Sequence, residues 1–384
     1  MARSILVGEL RTGRRITRLP VTGAGWSVGL NGKGSVDATI KLSDPKVASR
    51  VGLIAALDPA RCYMAALDDD HVIEAGPIWA HAYNDATKSL TVKAGGLASI
   101  FDHRLVMKVL AAGENPATGT LAWSGLSLGT QAKRLISTAI SHVGGSLPIA
   151  LPADEAGTHT RTYPGFEMAR LSDRLGQLRG VIGGPDVAFT PRLTEDQLSV
   201  EWEMRTGTGA DPLLHQVGSD STNGAADHIW DARAPKSGIM GFDVARDGGG
   251  LAFRAFATGA GAAEGLLIRM VEDMTLTTVG YPLLESTSDH NTVSIPTTLD
   301  AHASDDLGAS VRPWMTWTLD VLADKAPILG AFRCGDWAKV YVPPEHPYLR
   351  HYLAAGFYRA RIIGFSGGLD NRIKVDLQPQ MGAR

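Results

Sequence analysis

The stretch WSVGLNGKGSVDATIKL, residues 26–42, carries the clearest folding signal in the sequence. At its centre, the pair Asn31-Gly32 tolerates the positive φ angles of a tight turn whose twist matches the flanking strands. Beyond the turn, apolar and polar residues alternate from Val36 to Leu42, which is the period of a half-buried β-strand. The stretch therefore predicts an antiparallel β-hairpin, with one face of its second strand against a core.

The residues around this hairpin show the same alternation in a series of short strands. Gly76-Pro77, inside the longest of these strands, indicates an edge or a bend. A series of short strands with few helical signals is typical of a small barrel. The strands predicted here are a further hairpin over 5–21 and single strands over 61–67, 72–83 and 90–94.

Three helices are predicted among the strands. Asp44 followed by Pro45 is a favourable helix start, and it predicts a short helix that continues to Leu57. Apolar residues recur at helical spacing over 129–142 and again over 166–181, which predicts two longer helices. The fold class expected from these patterns is mainly β, of the α+β kind.

Strands dominate the two ends of the chain, and the middle is mixed. The order of strands over 337–375 repeats the order over 62–93 without identity of sequence, so an internal duplication stays open. The predicted domains are an N-terminal antiparallel β-barrel (1–111), an α+β middle domain with two helices (112–206), a loop-rich α+β insertion (207–305) and a C-terminal antiparallel β-barrel (306–384).

Composition excludes several classes of protein. Of 384 residues, 44% are hydrophobic and 20% charged, which is typical of a globular chain and unlike a disordered one. The net charge of −3 gives no overall basic field for nucleic-acid binding. Cys62 and Cys334 are too few for a disulfide framework or a thiolate zinc site. Glu9 interrupts the first apolar run too early for a signal peptide, and no apolar run is long enough to span a membrane.

The sharpest catalytic motif is Gly125-Leu126-Ser127-Leu128-Gly129, which fits the G-x-S-x-G pattern of a serine hydrolase. The same serine also suits the N-cap of the helix that follows. No βαβ units surround the motif, and no downstream histidine lies in a recognisable loop motif, so no catalytic residue is assigned. A glycan-binding β-rich module is a further alternative, although the absence of a signal peptide disfavours it.

Metal and cofactor sites are not predicted. His302 with Asp305 and Asp306, and the pair Asp289-His290, each offer two ligand types, but such pairs are usually polar surface residues. The glycine-rich stretches lack the spacing of a phosphate-binding loop. No metal and no cofactor is therefore expected.

The first hairpin is strongly basic. Arg11, Arg14, Arg15 and Arg18 lie close together in sequence, with Glu9 as the nearby acid. One interpretation is a solvated hairpin face; the other is one half of a charge-complementary interface with a neighbouring protein. These four arginines are the candidate interface residues.

In their order, these segments resemble the minor tail proteins that form the tail-tip hub of siphophages infecting Actinobacteria. That family is related in fold to the hub of contractile-tail baseplates and to the N-terminal hub part of tail-associated lysins. The segments that carry the resemblance are Trp26–Leu42 with Asp44-Pro45, Val72–Ile78, Trp123–Ile140, Phe166–Trp202 and Gly335–Val340.

The resemblance implies a structural virion protein at the phage tail tip, made in the bacterial cytoplasm. It implies a homotrimeric ring with two barrels per chain, which joins the sixfold tail tube to threefold tip proteins. Its partners would be the distal tail protein or tube ring, other tip proteins, and the tape measure protein in the channel, through which DNA passes without specific binding. Larger relatives often carry a wall-digesting domain after the second barrel; here the chain ends at that point, so no enzyme activity, cofactor or membrane insertion is expected.

Overall fold

The structure is a computed structural model that describes residues 3–181, 183–220, 222–290 and 293–380. Its chain divides into two compact units. The first unit contains the residues up to Phe242 and those from Thr318 onward, and the second contains Asp243–Trp317. Strands dominate the described residues, so the mainly β prediction is confirmed. The four predicted domains stay a prediction.

The strands and helices have the following bounds. The strands of the first half are β1 (Arg3–Glu9), β2 (Arg15–Leu19), β3 (Val21–Gly29), β4 (Ser35–Lys41), β5 (Cys62–Asp68), β6 (His71–Asn84), β7 (Ser89–Gly95), β8 (Leu121–Leu126), β9 (Ile149–Ala150), β10 (His159–Tyr163), β11 (Val187–Leu193) and β12 (Val200–Thr206). Those of the second half are β13 (His228–Trp230), β14 (Ile239–Asp247), β15 (Arg254–Thr258), β16 (Ile268–Glu272), β17 (Glu285–Asp289), β18 (Trp314–Leu322), β19 (Trp337–Val342), β20 (Gly356–Gly368) and β21 (Arg372–Pro379). The α-helices are α1 (Pro45–Ala48), α2 (Leu128–Ser141), α3 (Leu171–Arg179) and α4 (Pro296–Ser310). Short 3-10 turns lie at Ala55–Leu57, Leu97–His103, Pro116–Thr118, Gly165–Glu167, Ala263–Gly265, Thr277–Val279 and Leu349–His351.

One sheet organises the first unit, and it joins the two ends of the chain. Its strands follow the order β18-β21-β20-β3-β4-β7-β6-β5-β1-β2, and β19 lies beside β20 and carries β13. The part of β14 in this unit extends the sheet beyond β18. Two similar parts stand out: β5–β6–β7, here called the N-terminal meander, and β19–β20–β21, the C-terminal meander. In both, consecutive strands pair antiparallel.

The described strands do not close into a barrel in any sheet, so the two predicted barrels are not seen. The reason is the pairing of β3 with β20, from Gly29 opposite Gly364 to Gly25 opposite Gly368. This pairing uses the edge that each end of the chain would need to close on itself. The two ends therefore share a sheet.

Strand β6 bends where Gly76-Pro77 predicts a bend. Its first half pairs with β5 as far as Pro77, and its second half pairs with β7 from Ile78 onward. A Cβ atom at Gly76 would lie 2.2 Å from the carbonyl oxygen of Gly95. Because only glycine allows this close backbone approach, Gly76 lets the strand leave one partner for the next.

Helix α2 confirms its prediction to within one residue, whereas the other two helices are shorter than expected. The helix predicted to run from Pro45 to Leu57 is wrong: α1 ends at Ala48, and Gly52, with a φ of +79°, lies between it and the separate 3-10 turn at Ala55–Leu57. Helix α3 starts at Leu171, after a left-handed Met168 (φ 49°) that ends the preceding 3-10 turn.

The middle of the first unit packs a small core against the N-terminal meander. Helices α2 and α3 share one apolar cluster with β11 and β12, around Leu135, Leu175 and Met204. A second cluster joins β12 to β5 and β6 through Trp202 and Tyr63. Their rings meet edge to face at 5.7 Å between centroids, and the Trp202 indole donates to the carbonyl of Ala75 at 2.9 Å.

The second unit is a three-stranded sheet with one helix. Strand β15 pairs antiparallel with β16 and parallel with β17. Helix α4 covers this sheet through Leu299 and Ala303, which pack with Ala257 in a small buried cluster. The sequence patterns did not predict β16, β17 or α4 in this region.

Candidate assembly surface

The β1–β2 hairpin is anchored at its turn. Gly13 (φ +72°) is buried there, and its carbonyl accepts hydrogen bonds from the Tyr63 hydroxyl and from the Val200 amide, both at 2.9 Å. The Glu9 amide closes the turn by donating to the carbonyl of Arg14 at 2.8 Å. The arginines of this hairpin are therefore carried by a fixed backbone.

Two of the four candidate arginines hold neighbouring loops. The Arg11 guanidinium donates to the Ser146 hydroxyl at 3.0 Å, and the Arg15 guanidinium donates to the carbonyl of Gln197 at 2.5 Å. Hydrogen bonds to the chain itself give these two side chains an intramolecular role.

The other two candidates face solvent. Arg18 donates to the Ser4 hydroxyl at 3.0 Å and lies 4.0 Å from an exposed carboxylate of Asp70. The Arg14 side chain is exposed and makes no hydrogen bond or ion pair with the residues that the structure describes. The hairpin thus brings all four arginines together, but Arg14 alone among them is fully available to a partner. Their interface role stays a prediction.

Strand β2 also offers backbone groups at an edge. Among the described strands it pairs only with β1, and its start is held by the Arg15 amide, which donates to the carbonyl of Leu198 at 3.0 Å. Ile16, further along, is 48% exposed. Strand β13 is a second such edge, since it pairs only with β19 in the described part of the chain, and its Ile229 is 56% exposed. Unpaired edges with exposed apolar side chains are sites where a sheet can be extended by another chain.

A buried ion pair fixes the loop before β13 to the C-terminal meander. Arg359 of β20 donates to both carboxylate oxygens of Asp227, at 2.7 and 3.0 Å, and to the Ser219 hydroxyl at 2.8 Å. Burial alone would raise the pKa of Asp227, but the hydrogen bonds from Arg359 and Ser219 outweigh it and lower the pKa. The edge strand β13 follows directly from this fixed loop.

A second cluster of polar contacts is centred on Asn31, in the turn between β3 and β4. The Asn31 side chain donates to Asp186 at 2.7 Å and accepts from the Val187 amide at 2.9 Å. Asp186 also pairs with Arg361 of β20 and accepts from the Leu214 amide at 2.9 Å. Asn31 was predicted for its backbone angles; its second role, as a hydrogen-bonding centre between distant segments, left no local signal in the sequence.

Ser127 is the N-cap residue of helix α2. Its side chain is 1% exposed, accepts from the Thr130 amide at 3.2 Å and donates to the Thr130 hydroxyl at 3.1 Å. No histidine or carboxylate among the described residues hydrogen-bonds its oxygen. A catalytic serine needs both access to substrate and an adjacent base, whereas the contacts described for Ser127 are those of a helix N-cap.

The histidines considered as metal ligands are brought together in the second unit. The rings of His290 and His302 stack at 4.0 Å between centroids, and a carboxylate oxygen of Asp306 lies 3.9 Å from the His290 ring. Even so, the described residues contain no group of three or more potential ligands placed to hold a metal ion. None of their helices has both the length and the apolar character to cross a membrane.

Comparison with known proteins identifies the fold. A tail protein from Neisseria meningitidis MC58 matches with a TM-score of 0.56 and 15% identity, over 99% of this chain and 96% of that one. The 43 kDa tail protein of prophage MuSo2 from Shewanella oneidensis matches with a TM-score of 0.58 and 9% identity, over 98% of each chain. No protein-family model and no curated protein matches the sequence. At these identities the likeness shows the fold, and it confirms the resemblance to phage tail proteins at that level.

Proposed function

We propose that this chain is a structural protein of a phage tail tip. The observation that carries the proposal is the likeness to two tail proteins along nearly the whole of each chain, the second of them from a prophage. The burial of Ser127 as a helix cap supports a structural role without catalysis. The protein would then be part of the virion.

Within the tail, we propose a trimeric ring that adapts the sixfold tube to threefold tip proteins. Three copies can match six contacts only if each copy offers two similar surfaces. The N-terminal and C-terminal meanders, with their common strand order, are the proposed pair. The edges of β2 and β13 supply a means of pairing between copies, and closed cyclic assembly is the usual outcome for such contacts.

The proposed partners follow from this position. The ring would contact the distal tail protein or tube ring on one side and other tip proteins on the other. The tape measure protein and DNA would pass through its channel without specific binding, in keeping with a net charge of −3.

Electron cryomicroscopy of the tail tip tests the ring directly. We expect three copies of this chain per tail, with the two meanders alternating around the axis at six similar positions. Native mass spectrometry of the purified chain at rising concentration is a second measurement, in which a trimer is expected to appear. Any other copy number, or meanders that face unrelated surroundings, would refute the ring.

Charge reversal tests the basic hairpin. Replacing both Arg14 and Arg15 by Glu should weaken incorporation into tails, measured by quantitative proteomics of purified particles. Since Arg15 also holds Gln197, the single change Arg14→Glu separates docking from folding, because Arg14 has no partner within the described chain. The matched control is the pair Lys46→Glu and Lys236→Glu, which reverses two exposed charges elsewhere. If all these variants are incorporated equally well, the basic hairpin is not an interface with a neighbouring protein.

A further inference from the structure

A cavity lies between β6, the β11–β12 hairpin and the loop that precedes β19. Its volume is about 70 Å³, and its lining includes Arg205 of β12, Arg333 of the loop and Glu74 of β6. A single water needs about 10–15 Å³ measured in the same way. The cavity can therefore hold several waters, or one small ion with the dimensions of phosphate.

Arg205 lines this cavity without an ion-pair partner among the described residues. It is half-buried, and its guanidinium makes no hydrogen bond or ion pair with the described residues. Burial lowers the pKa of Arg205, and the neighbouring charge of Arg333 lowers it further; Asp336 and Glu203 act in the opposite direction without reaching ion-pair distance. A cation withdrawn from water without a partner costs free energy, which a bound anion would recover.

Arg333 brings a second positive charge to the same place. Arg333 is exposed; its backbone amide donates to Asp336 at 2.8 Å, and its guanidinium makes no hydrogen bond or ion pair with the described residues. The contrast with β20 is clear, because Arg359 and Arg361 there are each saturated by a carboxylate and by carbonyl groups. Two guanidinium groups that line one cavity, neither of them within ion-pair distance of an acid among the described residues, offer the planar donors that bind an oxyanion.

The remaining titratable groups of the lining do not oppose an anion. Burial raises the pKa of Glu74 to about 8, so this carboxyl is neutral at pH 7 and can donate a hydrogen bond. Burial also raises the pKa of the Cys334 thiol, and burial together with Arg333 lowers the pKa of His71, so both are neutral as well. Lys33 is paired with Asp102. At neutral pH the cavity is thus positively charged.

We propose that this cavity binds a small oxyanion between Arg205 and Arg333. The chemistry fits a free phosphate or sulfate ion and equally a carboxylate presented by a neighbouring protein. The site is independent of the proposed role in the tail, since it rests on the charges and volume of one chain.

Thermal unfolding of the full chain tests the site, with phosphate as the probe and sodium chloride at matched ionic strength as the reference. We expect a saturable rise in Tm of about 5 °C at a hundredfold excess over Kd. Arg205→Gln should weaken phosphate binding at least about tenfold, because a charge-assisted hydrogen bond is lost. Without phosphate, the same variant should unfold at a Tm no lower than the parent chain, since an unpaired cation has been removed.

The control is Arg192→Gln, on the adjacent strand β11, whose guanidinium pairs with Glu201 on the surface. This variant should keep the full response to phosphate. The proposal is overturned if phosphate raises Tm no more than chloride does, or if Arg205→Gln responds to phosphate as the parent chain does. An acetate titration identifies the source: an equal, Arg205-dependent shift indicates a protein carboxylate, and a shift with phosphate alone indicates a free tetrahedral ion.

Discussion

The two meanders have the same strand order and are stabilised in different ways. In the N-terminal meander every residue of β5 is buried, and its outer face is covered by the Trp202 ring against Tyr63. In the C-terminal meander, two residues of β20 that share one face, Arg359 and Arg361, reach buried carboxylates at Asp227 and Asp186. The same strand order is therefore stabilised by apolar packing in one meander and by ion pairs in the other. The stability of the two meanders should respond differently to mutation and to pH.

Removing the apolar cover should have the largest effect. Trp202→Ala deletes a fully buried ring together with its hydrogen bond to Ala75, and we expect a loss of about 3–5 kcal/mol in the free energy of unfolding. Urea denaturation followed by circular dichroism measures it. The control Trp314→Ala removes a ring that is 49% exposed and should cost much less. Equal losses would mean that the cover over β5 is not what stabilises this meander.

The two meanders should contribute to the free energy of unfolding with opposite dependence on pH. Since burial raises the pKa of Glu74 to about 8, above its unfolded value, the folded chain binds more protons between about pH 4.5 and 8. This contribution to stability is fully present at low pH and is lost as the pH rises to 8, by roughly 3–5 kcal/mol. Glu74→Gln should remove the slope in that window, as measured by unfolding at pH 5, 6.5 and 8. An unchanged slope in the variant contradicts the assignment to this carboxyl.

The C-terminal meander should show the opposite dependence. The pKa of Asp227 is lowered, so its ion pair stabilises the fold above the unfolded pKa and is lost as the pH falls through the folded value, below about 4. Arg359→Leu leaves Asp227 buried and should cost about 2–4 kcal/mol at pH 7, moderated by Lys339 at 4.0 Å. The control Arg372→Leu, an exposed residue 3.9 Å from Asp320, should cost less than about 1 kcal/mol.

The smallest effect is expected from a substitution that keeps the charge of Arg359 and changes the shape of its side chain. Arg359→Lys keeps the positive charge but cannot contact both carboxylate oxygens and the Ser219 hydroxyl with one planar group. We expect a loss of about 1 kcal/mol, between the parent chain and Arg359→Leu. A value equal to that of the leucine variant would assign the whole effect to the fork geometry of arginine.

Both meanders were visible in the sequence, because their strands alternate and their turns carry Asp, Asn and Gly. The sequence did not show how the two ends of the chain join in one sheet. The pairing of β3 with β20 joins residues more than 300 positions apart, and no local pattern encodes it. The two expected barrels are not confirmed, and the sequence could not have tested them, because closure of a sheet depends on distant partners.

The sequence located the four candidate interface arginines, and their interface role stays a prediction. The four arginines were found from their spacing, but three of them are bonded to Ser146, Gln197 and Ser4, which are distant in sequence or on the adjacent strand. Helix α4 was missed because its buried apolar residues Leu299, Ala303 and Leu307 lie among small and acidic residues. The pairing of Arg359 with Asp227 spans 132 residues and could not be inferred from composition.

The junction of β3 with β20 has a consequence for synthesis on the ribosome. Strand β3 ends at Gly29, and its partner begins at Gly356. At about 5–20 residues per second, the edge of β3 waits roughly 16–65 s before its neighbour is translated. During that time β3 pairs with β4 alone and keeps one edge open, and an unpaired edge invites aggregation. Nascent chains of this protein should therefore depend on chaperones until the final strands emerge, and a chain truncated before β20 should aggregate even though its N-terminal meander is complete.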